Sequence, residues 1–259
     1  MNLIDPNFSI YLMKTGYQIF EPSKDRYWIK TASGKPLWLP LNHQNQGLSK
    51  KAIDLLLEDI AYSNPESDGS EAKPANSMCY MLYGLMEQTL MFPVEDAKSI
   101  QELIQWDRCF RLEPDPRWQH EQKKSIECVI DFLKKNGIEW VDLRLNYAES
   151  LEEMKENNDD EVPADIVEII SSLYEKMSDL QKFFVLVLYN FSMEVSVTLP
   201  ILFVSGNITI NEFIDGFMHF QYSTDEFSNP KQIKEWKANN RQRILNGQAF
   251  LQIIEEDTK

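Results

Sequence analysis

The stretch from Phe183 to Val204 is the most apolar run in the chain, and it limits what the chain can fold into more than any other feature. A run of this length raises the question of a membrane span. Asn190, Glu194 and Pro200 interrupt it, and an acidic residue at mid-span costs about 2.5–3.5 kcal/mol on insertion scales. No lysine or arginine follows until Lys231, so cues to a membrane topology are thin. The run is therefore expected to form a core helix, kinked or broken near Pro200, with the rest of the chain packed around it. Glu194 is expected at the solvent edge of that helix. If it were buried it would need a partner, and it would then be the foremost single site candidate.

Around this run the hydrophobic periodicity is mostly helical. Ser49 precedes Ile53, Leu56, Leu57 and Ile60, which share one stripe. Further helices are expected over Ser77–Leu90, Val94–Trp106 and Pro116–Lys135, the last stopped by Gly137. Another starts at Pro163 and carries Ile166, Ile170, Leu173 and Met177. Thr209-Ile210-Asn211-Glu212 fits a capping box, and Asn229-Pro230 opens a last helix that reaches about Ile254.

The first 47 residues read differently. Tyr17–Phe20, Tyr27–Thr31 and Leu37–Leu41 are short aromatic and branched runs, and the turn residues Ala32–Pro36 separate the last two. Trp28 and Trp38 are expected on the buried face of that hairpin. Ile138–Leu145 alternates apolar and charged residues and is a candidate added strand. The expected fold class is α+β, predominantly α-helical, with an N-terminal β-hairpin or small sheet packed on a multi-helix body. With 259 residues, one domain spanning 1–259 is expected: a β-rich part over 1–47 and a helical body over 48–259, with mobile loops near 63–76 and 156–163.

The net charge is −15 and unevenly spread. Residues 1–63 hold 7 basic and 6 acidic side chains, residues 64–160 hold 11 and 21, and residues 161–259 hold 8 and 14. A field of this sign repels phosphate backbones, which argues against nonspecific nucleic-acid binding. Glu152, Glu153 and Glu156 share one helix side with Asp159 and Asp160 nearby, and this patch is the candidate partner-binding surface for a more basic protein. Lys231, Lys234, Lys237 and Arg241 recur at spacings of three and four beside Trp236. That basic stripe supports a weaker alternative, a nucleic-acid adaptor.

Motifs for chemistry are absent or incomplete. His120-Glu121 begins like a zinc-protease helix, but Lys124 stands where the second histidine belongs. With only His43, His120 and His219 in the chain, no metal site is expected. Ser70–Lys73 matches S-x-x-K and Lys14–Gly16 matches K-T-G, in the wrong order and without the third element of that set. Nine glycines form no phosphate-cradling loop, so no cofactor is expected. Cys79, Cys109 and Cys128 are widely spaced and suit a reducing compartment. Met1–Tyr11 lacks the order of a signal peptide. The expectation is a cytoplasmic, acidic protein-binding module, an immunity-type or chaperone-like protein that neutralises or escorts a basic partner. The alternative is an enzyme with a carboxylate-based site near Glu194 or His219.

Overall fold

The computed structural model describes backbone over residues 18–23, 26–30 and 36–39, and residues 49–63, 77–86, 100–112, 116–138, 161–192, 196–222 and 229–257. Ten α-helices fall within these residues. They are α1 (Lys50–Tyr62), α2 (Met78–Met86), α3 (Ile100–Trp106), α4 (Pro116–Ser125) and α5 (Glu127–Lys135), then α6 (Ala164–Glu175), α7 (Asp179–Phe191), α8 (Thr198–Val204), α9 (Ile210–Tyr222) and α10 (Pro230–Asp257). A 3-10 turn, Arg108–Phe110, follows α3.

The expected α+β class is overturned. The described residues from Ser49 onward are 81% helical and contain no strand, so the body is α-helical. Among the described residues, paired extended segments occur at Gln18–Ser23, Arg26–Lys30 and Pro36–Leu39, the first and third each antiparallel to the second. The principal packings among the described helices are helix on helix, so the expected hairpin packed on a multi-helix body is corrected to a helical body on which no such hairpin is seen. The physical reason is that aromatic and branched runs give a local preference for extended backbone. That preference does not specify which element covers a buried face. The side chains of Trp28 and Trp38, and the segments 139–145, 64–76 and 149–160, lie outside the described residues.

The chain groups into two compact units, Met1–Leu90 with Gln242–Lys259, and Met91–Arg241. In the first, α1 packs on α2. Ser49 caps α1, its hydroxyl accepting from the Ala52 amide at 3.3 Å. Ala52, Leu56, Ile60, Met78 and Leu82 are buried, as are Ile244, Phe250 and Ile254 of the C-terminal part of α10.

In the second unit α8 is the hub, packed against α5, α6, α7 and α9. Every residue from Thr198 to Phe203 is buried. A train of rings surrounds it: Phe203 stacks on Phe213 at 5.2 Å, Phe213 meets Phe217 at 5.5 Å, and Phe217 meets Trp236 at 5.3 Å. The apolar run is thus split between α7 and α8. α7 ends at Phe191 and α8 begins at Thr198, two residues before Pro200. Pro200 sits in the first turn of α8, where backbone N–H groups have no intrahelical acceptor and a proline removes nothing. Upstream, Pro116–Lys135 is two helices, parted at Ile126. Both capping boxes read from local pattern or found here close as hydrogen-bonded pairs, Ser178 with Gln181 and Thr209 with Glu212. Among the described residues, no helix is long and apolar enough to cross a membrane.

Candidate functional site

Two buried aspartates organise the polar interior, one in each unit. Asp107 follows α3 and is the N-cap of the 3-10 turn. Its Oδ1 accepts from the Cys109 amide at 2.8 Å. Its Oδ2 accepts from the Ser196 hydroxyl at 2.9 Å and from the Thr198 amide at 2.7 Å. Ser196 Oγ accepts in turn from the Leu199 amide at 3.2 Å and lies 3.2 Å from Cys109 Sγ. One carboxylate therefore closes the exposed amides at the starts of two short helical segments. Burial pushes its pKa up, and the donors from Cys109, Thr198 and Ser196 work against that shift.

Asp59, near the end of α1, repeats the arrangement with different partners. Its Oδ2 accepts from the Ser77 hydroxyl at 2.6 Å and from the Cys79 amide at 3.0 Å. Its Oδ1 accepts from Asn246 Nδ2 at 2.7 Å. Ser77 Oγ accepts from the Tyr80 amide at 3.1 Å, which caps α2. Burial pulls the Arg243 guanidinium pKa down, and the Asp59 charge opposes this by favouring the charged form.

Each cluster holds a carboxylate, a serine and a cysteine, the residue types of nucleophilic catalysis, but the surroundings oppose that chemistry. Asp59, Cys79 and Cys109 are 0% exposed and Asp107 is 2% exposed, so a substrate has no approach to them in this conformation. Burial pushes the thiols of Cys79 and Cys109 well up, and the neighbouring Asp59 and Asp107 charges push them further. Cys128 is pushed up to about 12, again mainly by burial. A thiol held protonated is a poor nucleophile. These clusters are helix clamps.

Among the described residues, an accessible concavity lies elsewhere, along α4 and α5. It encloses about 380 Å³. His120, Lys123 and Lys124 line its α4 part, and Glu127, Asp131 and Lys134 its α5 part, with Ile130 among them. His120 thus belongs to a surface groove, and among the described residues no group of three or more metal-ligating side chains comes together.

The acidic candidates Glu152, Glu153, Glu156, Asp159 and Asp160 lie outside the described residues, as does Glu194. His219 lies within α9, and its side chain is likewise outside the description. In the basic stripe of α10, Lys231 pairs with Glu235 at 3.8 Å and Lys237 contacts Asp215 at 2.5 Å. Two of its four cations are therefore already matched, as on an ordinary solvated face. Sequence reasoning missed both aspartate clamps. Asp107-Arg108-Cys109 has the local form of an Asp cap, but its partners stand 89 and 91 positions away.

No protein-family model, curated protein or solved structure matches this chain.

Proposed function

We propose that this chain is a protein-binding module whose acidic surface docks a more basic protein, blocking or escorting it in the manner of an immunity or chaperone-like protein. One observation carries the reading: a net charge of −15, with the largest excess of acidic over basic residues between positions 64 and 160. Such a field accelerates encounter with a cationic partner and discourages polyanions. The tight closure of the two aspartate clamps is in keeping with this reading, because their polar groups serve helix starts. Glu152, Glu153, Glu156, Asp159 and Asp160 are proposed as the docking residues, and the cytoplasm as the compartment.

The test is affinity purification of the tagged chain from its native cell at low and high salt. A single stoichiometric partner of high isoelectric point is expected, released as ionic strength rises. Reversing Glu152, Glu153 and Glu156 to lysine should slow association and leave the fold intact. Recovery of no stoichiometric partner, or of an acidic one indifferent to these substitutions, removes the proposal.

A further inference from the structure

We propose that the groove along α4 and α5 binds a small molecule carrying both a phosphoryl group and hydroxyls, such as a sugar phosphate or a nucleotide. Its volume of about 380 Å³ falls inside the roughly 300–1,000 Å³ of small-molecule sites. The chain is strongly acidic, yet His120, Lys123, Lys124 and Lys134 all line this one concavity. A phosphoryl group carries about −1.5 to −2 charges near neutral pH and is matched by the His120, Lys123 and Lys124 end. Glu127 and Asp131, one helical turn apart, repel a second anion and accept hydrogen bonds from hydroxyls. Ile130, only 6% exposed, offers an apolar surface between them. The mixture of cations and carboxylates in the groove therefore suits a ligand that is anionic in one part and hydroxylated in another. It disfavours a uniform polyanion.

The basic end stands on a fixed backbone. Gln122, 1% exposed, donates from Nε2 to the carbonyls of Arg111 at 2.6 Å and Arg108 at 3.3 Å. This pins α4 on its inner side immediately before Lys123. At the end of α4, Gly216 of α9 comes so close that a Cβ there would lie 3.2 Å from the Ser125 carbonyl oxygen. Groups presented from pinned elements lose less freedom on binding. Lysines in the last turns of α4 and α5 and Glu127 in the first turn of α5 also suit the helix dipoles. That preference explains the sign of each residue.

The site is independent of the acidic docking surface, so either can fail alone. Isothermal titration of the full chain with ribose 5-phosphate, inorganic phosphate and ribose tests it. Saturable binding is expected for the ester, weaker binding for phosphate and none for ribose. The double substitution Lys123→Gln with Lys124→Gln should weaken the ester about tenfold or more. Lys135→Gln, on α5 but outside the groove, should leave the affinity unchanged. Absence of saturation by the ester up to about 10 mM overturns the proposal. So does ribose binding as well as its phosphate, free phosphate matching the ester, or equal weakening by Lys135→Gln.

Discussion

A carboxylate with 2% of its surface in solvent persists only if donors inside the protein replace the lost water. Asp107 has three such donors, two of them backbone amides that otherwise have nowhere to go. Asp107→Ala should orphan the Cys109 and Thr198 amides at about 1–3 kcal/mol each, for a total loss on the order of 3–5 kcal/mol. Urea unfolding followed by circular dichroism measures this, and a loss below about 1 kcal/mol would contradict the clamp. Titration gives a second check. The folded-state pKa of Glu212 is lowered by hydrogen bonds from Thr209. A lowered carboxylate pKa contributes stability that is present above the unfolded value and lost as pH falls through the folded value. The deficit of Glu212→Gln relative to the parent should therefore be visible at neutral pH and shrink as pH falls below the ordinary carboxylate range, as read from thermal melts. Burial and adjacent charge also hold the three thiols protonated. Disulfide-exchange reagents at about pH 8 should label Cys79 and Cys109 only once denaturant is added.

At the scale of elements, helix starts follow local chemistry and helix interruptions do not. Ser49, Ser178 and Thr209 each cap the helix that their own neighbouring residues announce. The division of the apolar run into α7 and α8 depends instead on Ser196 and the Thr198 amide finding Asp107. No pattern within the run reports that partner. The same holds for α9 and α4, which meet at Gly216. A Cβ at this position would lie 2.9 Å from Leu199 Cδ1 and 3.2 Å from the Ser125 carbonyl oxygen. In an exposed helix, Gly→Ala gains about 1 kcal/mol. Here the bulk must displace a backbone carbonyl and a buried leucine, so Gly216→Ala should instead destabilise by about 1–3 kcal/mol. Chemical denaturation gives the sign directly, and a stabilised variant would show that the contact has room to relax.

At the scale of the molecule, the C-terminal part of α10 belongs to the same compact unit as the first ninety residues. It supplies the buried side chains Ile244, Phe250, Leu251, Ile253 and Ile254, and the Asn246 bond to Asp59. Burying an aliphatic or aromatic side chain is worth about 1.5–3 kcal/mol, and a whole domain has only about 5–15 kcal/mol of net stability. Truncation after Arg241 should therefore unfold α1 and α2. Hydrogen exchange would show this as lost protection of the amides over Lys50–Tyr62 and Met78–Met86. Retained protection there would mean that those helices form a core without the C-terminal segment.

The amino-acid order alone determined the largely helical body, the burial of the Thr198–Phe203 segment, the caps at Ser49 and Thr209, and the start of the last helix at Asn229-Pro230. Each of these depends on residues within a few positions of one another, where periodicity and capping chemistry act. Tertiary structure decided that α8 begins at Thr198 and that Asp59 and Asp107 become clamps. It also placed His120 and three lysines around one groove. These outcomes depend on which distant amides, hydroxyls and side chains meet, and a carboxylate gives no local sign of the donor it will find 89 or 187 positions away.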